Sequence, residues 1–521
     1  MEDNLIVKKL NFGDDAKNKV MLGVDKLAKA VKSTLGASGK CVIYEDAMGQ
    51  PVITKDGITV AESVVLIDPV ENIGATLIKE AAKNTVKQAG DGTTTAIVLA
   101  ESLLKNVNKK ENDKISIREI KEGIDSGLKK INKYLSEHST PVTGKMLEHV
   151  STISCNNDQK LGKIISKAYE KVGENGIVLM EESDTEETYA DIVQGAQFDS
   201  PIMSPHFVTD KDKQRAVLDS PCVLIVSGEI PNLRKIQNIL EYAIRNKRSL
   251  LIVAKVDQQV KSALLMNKVK GNINVNIVDP PGFGATRDES IEDLAILTGA
   301  RVINEELGDD LDLIQSDVLG EAIKAVTDNK STVITVDYKA KDLSERIKDV
   351  DKKFKKEKNT FLKKQIEQRL SMLNGHVGVV RVGANSKIEM QEKKYRVEDA
   401  IYATKAALKE GIIPGGGIAL LNAAQNIKTE NIGEKILVES IKSPFTTIMD
   451  NASIENYATP NLKGVGFNVI TGNKVDMIKS GIVDPVLVTK TALKNAVSVV
   501  NTIISADCVI SNIRINPYES N

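Results

Sequence analysis

The chain has 521 residues, too many for one compact core, and its 41% apolar and 27% charged residues argue against wholesale disorder. Seventy basic and 71 acidic residues leave a net charge of −1, so bulk charge points to neither a nucleic-acid nor a membrane partner. The chain lacks Trp and is 3% aromatic, which argues against a base-stacking platform. Cys41, Cys155, Cys222 and Cys508 form no C-x-x-C pair, as expected for reduced thiols in a cytoplasmic setting. His138, His149, His206 and His376 form no H-E-x-x-H pattern, which argues against a zinc site. The start "MEDNLIVKKLNFGDDAKNKV" is acidic early and has no apolar core, so neither a signal nor a transit peptide is expected there.

In chain order, "DAKNKVMLGVDKLAKAVKSTLG" carries Val20, Leu22, Val24, Leu27, Val31 and Leu35 at helical spacing and predicts a helix ending at Gly36. "CVIYED" and "PVITKDG" predict a hairpin. "ENIGATLIKEAAKNTVKQAG" predicts a helix stopped by Gly90, and further helices follow to residue 138. After about Gly195 the style changes. "PCVLIVSG", "SLLIVAK" and "NINVNIVDPP" read as strands, with "NLRKIQNILEYAIRN" and "QQVKSALLMNKVKG" as helices between them. Such alternation predicts an α/β layer domain. The charged tract 341–375 keeps helical spacing on both sides of "KNT" and predicts an antiparallel helix pair. Helical style then returns with "KKYRVEDAIYATKAALKEG". The middle therefore reads as an insertion into a helical domain built from both chain ends.

The chemistry-bearing stretches are glycine-rich. In "GDGTTTAIVLAE" (residues 90–101), glycines let the backbone approach a ligand, and the free N–H groups of the following helix form an anion site. Asp91 is an oxygen ligand suited to Mg2+. The same residues also suit an ordinary helix cap, and the motif alone leaves both readings open. It is not a Walker A loop, since no G-K-[ST] follows. "TLGASG" (34–39), "TKDG" (54–57) and "PGGG" (414–417) are turns that could each cradle phosphate or simply connect elements. Asp399 in "RVEDAIYATKAAL" is either a cleft carboxylate that orients water or a first-turn acid.

In series, "STLGASGK", "ITKDGITVA", "AGDGTTTAIVLA", "STIS", "PPGFG", "RVEDAIYATKAALKEGIIPGGGIALL" and "GIVDPVLVTKTAL" closely resemble the bacterial-type (group I) chaperonins, nearly end to end. The resemblance implies a multidomain α and α/β chaperonin fold. Its parts would be a mostly helical equatorial domain (1–137 and 410–521), a small intermediate domain (138–193 and 376–409) and an inserted α/β apical domain (194–375). It implies an ATP-dependent chaperone, an ATPase whose Mg-ATP hydrolysis drives folding of unfolded client proteins, with K+ as a further cofactor. It also implies a homo-oligomeric seven-membered ring, single or double, with a co-chaperonin lid, and no nucleic-acid or membrane partner. The nucleotide pocket would hold Thr34, Leu35, Gly36, Lys55, Asp91, Gly92, Thr93, Thr94, Thr95, Ile153, Ser154, Gly415, Gly416, Asn468, Ile470, Ile482 and Asp484. Asp91 would be the metal ligand. Asp399 would activate the attacking water, assisted by Asp56. Clients would meet Ile202, His206, Phe207, Leu233, Gln237, Leu240, Lys261, Leu265 and Met266, with Phe207 and Leu240 alternatively core residues.

The sequence departs from the family's usual pattern in several places. Gln237 and Lys261 replace leucines, and Ile202 and His206 replace tyrosines, which makes the client groove more polar. His376 stands for a hinge glycine, Thr446 for a basic ring-contact residue and Ala37 for a proline. "NPYESN" ends the chain without a Gly–Met tail. The alternative reading is a ring-forming scaffold or specialised binder with few clients and weak ATPase activity.

Overall fold

The computed structural model describes residues 8–512 except 47, 112–114, 156, 174–175, 184, 211–213, 283–286, 337–342, 358, 374, 456, 458–459 and 461. Lys358 of the "KNT" turn, Phe283 and Gly284 of "PPGFG", and the closing "NPYESN" lie outside the described residues. The chain divides into two compact units: 1–167 with 180–189 and 381–521, and 168–179 with 190–380.

The first unit opens with β1 (Lys8–Phe12), α1 (Gly13–Lys32), the strands β2 (Val42–Glu45) and β3 (Pro51–Thr54), and α2 (Gly57–Ser63). It continues through α3 (Pro69–Ala89), α4 (Thr93–Glu111), α5 (Ile117–Glu137) and α6 (Lys145–Ser154). Next, α7 (Gln159–Val172), β4 (Ile177–Glu182) and β5 (Tyr189–Phe198) run across the division.

The second unit holds β6 (Ala216–Asp219), β7 (Cys222–Ile230), α8 (Gln237–Arg245), β8 (Leu250–Val256), α9 (Gln258–Val269), β9 (Val275–Val278) and α10 (Arg287–Thr298). It then has β10 (Gly320–Glu321), β11 (Lys324–Thr327), β12 (Thr332–Val336), α11 (Leu343–Lys356) and α12 (Thr360–Leu373), and β13 (His376–Val382) leads out of it. The first unit closes with α13 (Lys387–Glu410), β14 (Ile412–Pro414), α14 (Ile418–Asn426), α15 (Ile432–Ser440) and α16 (Ser443–Asn451). β15 (Val465–Asn468), β16 (Asn473–Asp476), β17 (Val483–Pro485), α17 (Val486–Ile503) and β18 (Cys508–Asn512) complete it.

The core of the first unit joins both chain ends. Val24, Leu27 and Val31 of α1 pack with Ile78, Ile97, Leu103, Ile124 and Ile131, and with Leu493, Val497 and Val500 of α17. Full burial of each such side chain contributes about 1.5–3 kcal/mol. β1 pairs antiparallel with β18, Lys8 opposite Asn512 and Phe12 opposite Cys508. The helix read to Gly36 ends at Lys32, because the Ser33 and Thr34 hydroxyls turn back onto Ala30 O (2.7 Å) and Val31 O (2.8 Å). The predicted hairpin forms, with Val42 opposite Thr54.

In the second unit β7, β8 and β9 lie parallel, with β10 antiparallel at the β7 edge. Their continuous apolar sequences follow from burial on both faces. Val223, Ile225, Leu251 and Val253 join one core with α10, α11 and α12. Leu224, Val226, Leu250, Ile252 and Ala254 join another with α8 and α9. The strand read through 272–281 shortens to β9, and Leu233–Ile236 forms a 3-10 turn ahead of α8. The expected helix pair is present as α11 and α12. Asp293 of α10, wholly buried, ties both helices down: it accepts from Arg346 Nε (2.7 Å) and Arg369 Nε (2.7 Å). A second sheet has the order β4-β13-β5-β12-β11-β6.

Candidate functional site

One cavity of about 470 Å3 lies in the first unit. Six chain regions build its wall. The turn after α1 contributes Thr34, Leu35 and Gly36, and the turn into α2 contributes Lys55 and Asp56. Asp91, Gly92 and Thr95 come from the start of α4, and Ile153 and Ser154 from the end of α6. Asp399 comes from α13, and Gly416, Asn468, Ile470, Ile482 and Asp484 from the C-terminal segment. A narrower lobe of about 160 Å3 adds Gly57, Thr93 and Thr94 beside Asp56, Asp91 and Asp399.

Gly415 of the expected set does not line the wall. It is buried behind it, where a Cβ would stand 3.0 Å from the Val483 backbone. Ile470, at the β15–β16 tip, is 67% exposed, so it borders the rim rather than the floor.

The opening of α4 shows why an acid lies between two glycines. Gly90 closes α3 in the left-handed region (φ 78°), and Gly92 opens α4 at φ 94°. A Cβ on Gly92 would stand 2.8 Å from Val488 Cγ1. Two positive-φ residues turn the chain sharply and set Asp91 on the cavity wall. The Gly92 N–H donates to Asp91 Oδ1. Thr93 and Thr94 face the start of α2, whose Gly57 leaves room for both hydroxyls. Thus the N-termini of α2 and α4 meet at the narrow lobe, where the free N–H groups opening α4 favour an anion, while those of Ile58 and Thr59 in α2 are taken by the Asp56 carboxylate.

Asp56 is the N-cap of α2. Its carboxylate accepts from Ile58 N (3.3 Å), Thr59 N (3.0 Å) and the Thr59 hydroxyl. The cap fixes the Lys55–Asp56 turn at the lobe.

The acids shape the electrostatics. Withdrawal from solvent raises the pKa of Asp91, the Asp56 charge adds to the rise, and the Gly92 N–H opposes it. Asp484 is pushed up to about 7 by burial and by the Asp91 charge, against a lowering from the Gly416 N–H. Two carboxyls whose ionised forms are destabilised by burial and by a neighbouring acid suit a hard cation, whose charge would relieve both. A magnesium ion accompanied by phosphate fits this donor set.

Several wall residues escaped the sequence reading. Asn157 lies beyond the end of α6, and Glu392, Tyr395 and Arg396 precede Asp399 on α13. Their i, i+3, i+4, i+7 spacing is a readable signal for one helical face. The buried Arg396 Nε has no hydrogen-bond partner among the described residues. Beside them, Cys155 closes α6; burial pushes its thiol up to about 12, which makes it inert.

The residues expected to meet clients separate in the second unit. Phe207 does not line a groove: it is 0% exposed, and Lys268 donates to its carbonyl (2.7 Å) and sits 5.5 Å from its ring centre. Its apolar ring belongs to the core shared by α8 and α9. Ile202, Leu233, Leu240 and Leu265 are half-buried against that core. Met266 is 59% exposed, His206 and Gln237 are exposed, and Lys261 is half-buried. Gln237 donates to Glu241 (2.7 Å) along α8.

Among the described residues, no helix is long and apolar enough to cross a membrane. Two crystal structures share the fold, both of the chaperonin gp146 from the bacteriophage EL 2 (Pseudomonas aeruginosa) in the presence of ATP-BeFx. Crystal form II superposes with a TM-score of 0.68 at 19% identity, covering 96% of this chain and 98% of that one. Crystal form I gives 0.63 at 19% identity, covering 97% and 99%. The sequence matches the TCP-1/cpn60 chaperonin family over residues 27–514, and the chain belongs to that family.

Proposed function

We propose that this chain is a group I (bacterial-type) chaperonin subunit, an ATPase that couples Mg-ATP hydrolysis to the binding and folding of unfolded proteins. The observation that carries the reading is the narrow lobe, where two helix N-termini meet Asp56, Asp91 and Asp399. Such a lobe can hold a polyphosphate and its cation while presenting a carboxylate to water.

In this reading the N–H groups opening α4 and the hydroxyls of Thr93, Thr94 and Thr95 hold the phosphates, with Lys55 adding charge. Asp91 holds Mg2+, which would neutralise phosphate charge when bound. Asp399 orients the attacking water and takes its proton, and Asp56, fixed by its cap, supports it electrostatically. Thr34, Leu35, Gly36, Ile153, Ser154, Gly416, Asn468, Ile470, Ile482 and Asp484 hold the rest of the nucleotide. K+ is a further cofactor. The subunit would work in a cytoplasmic seven-membered homo-oligomeric ring, single or double, with a co-chaperonin lid. Its division would be equatorial, intermediate and apical, and clients would meet α8 and α9.

A second reading, a ring scaffold with few clients and weak ATPase, draws support from exposed Gln237 and buried Phe207. ATP turnover with Mg2+ and K+ separates the two. Wild type should turn over at least ~10^2-fold faster than Asp399→Ala, the scale of a lost general base. Equal rates would overturn the first reading.

A further inference from the structure

The cavity has more acids than its proposed ligand can use. Asp56, Asp91, Asp399 and Asp484 line it, and none of them, once ionised, can donate a hydrogen bond to phosphate oxygen. Donors must come from elsewhere. The start of α4 supplies them on one side, as described above. The α13 side is the open question.

α13 presents Glu392, Tyr395, Arg396 and Asp399 to the cavity along one face. The Arg396 guanidinium is tied to Glu392 on its own helix. Tyr395 differs. It sits one turn before Asp399, is half-buried, and its hydroxyl bonds to none of the described residues. Side chains on a helix lean toward its N-terminus, so residues four apart stack on one surface. Tyr395 therefore neighbours Asp399 on the wall of the main cavity. The Tyr44 phenol of β2 is pushed up by burial first, then by Tyr395, Asp46 and Asp56, so the Tyr395 and Tyr44 hydroxyls lie within electrostatic reach of each other.

We propose that Tyr395 is a further nucleotide-binding residue, whose hydroxyl donates to the terminal phosphate of a nucleoside triphosphate from the α13 side. The proposal rests on the Mg-ATP reading. It adds a neutral donor on the α13 face beside Asp399, and it makes α13 sensitive to the third phosphate. A hydrogen bond to a charged group is worth about 1.5–3 kcal/mol, so at least ~10-fold in affinity for the triphosphate depends on this hydroxyl. The diphosphate, lacking that phosphate, should not sense it.

The test is calorimetric titration of the full-length wild type, Tyr395→Phe and Asp399→Ala with Mg-ADP and with a non-hydrolysable ATP analogue. Tyr395→Phe should lose ~10-fold or more in affinity for the analogue and keep wild-type affinity for ADP. Asp399→Ala should bind both, since its role is in turnover. Equal loss for both nucleotides, or no loss for either, overturns the assignment. A wild type that binds neither nucleotide overturns the Mg-ATP reading, and this proposal with it. Tyr395→Phe keeps the ring, and an unchanged melting temperature separates lost binding from lost folding.

Discussion

The Asn451 side-chain amide donates to two carbonyls of the turn after α1, Lys32 O at 2.8 Å and Leu35 O at 2.9 Å. A residue of α16 thus fixes the backbone of a cavity wall more than 400 positions away in sequence. Both acceptors would otherwise be left without this partner.

Asn451→Ala should cost about 1–3 kcal/mol, chiefly through Leu35 O, since Lys32 O still accepts from the Leu35 N–H (3.2 Å). It should also loosen Leu35 and Gly36, which line the cavity. Nucleotide affinity, measured by calorimetry, is expected to fall while the circular dichroism spectrum holds. Unchanged affinity would show that the turn keeps its shape without the amide.

Asp484 gives a pH prediction. Its native pKa is raised from the ordinary value near 3.9 to about 7. A raised acid binds a proton on folding, so it favours the native state at low pH. That contribution is lost as the pH rises from about 4 to 7. Cation binding must displace the proton, so Mg-nucleotide affinity should rise about tenfold from pH 6 to pH 8 through this group. Asp484→Asn should remove that part of the slope. Equal slopes in wild type and variant would refute the linkage.

In the second unit, Arg369→Met would leave Asp293 buried with one cation fewer. Loss of one partner of a buried ion pair costs about 3–5 kcal/mol. Hydrogen exchange should accelerate in α10, α11 and α12 and stay unchanged in α1 and α4. Uniform exchange would argue that Arg346 alone suffices. Pairing Arg369→Met with Asp293→Leu should restore part of the protection, since the buried carboxylate is gone and Arg346 keeps Glu292 as a partner.

Gln237→Leu, on exposed α8, and Lys261→Leu, on α9, should each strengthen binding of an unfolded model protein by adding apolar surface. Weaker or unchanged binding in a pull-down titration would place the client surface elsewhere.

Much of the fold was legible because its signals are local. The β2–β3 hairpin, the Gly90 stop, the parallel apolar strands and the α11–α12 pair each follow from nearby residues. Helix limits were less so: α1 stops at Lys32 because two hydroxyls compete for its last carbonyls. At the site, "GDGTTT" could be read locally as cap or cradle, and the folded chain combines both uses of the helix start. Asn451 carried no signal, since its partners lie at the far end of the sequence. Phe207 stayed open between groove and core for a simple reason. An apolar residue in a turn reads the same whether it faces a partner or its own core, and only packing decides.

The pairing of β1 with β18 and the packing of α17 onto α3 and α4 also bear on synthesis. In every nascent chain β1 must wait for β18 before it finds its mate. At roughly 5–20 residues per second, the early helices emerge long before α17 exists. Those helices spend that interval with an unsealed apolar face. The inserted α/β layer draws its contacts from a continuous middle stretch, and it can close first. The protein's own maturation is therefore a late ring closure of its chain, slowed by the entropy of the longest loop it contains.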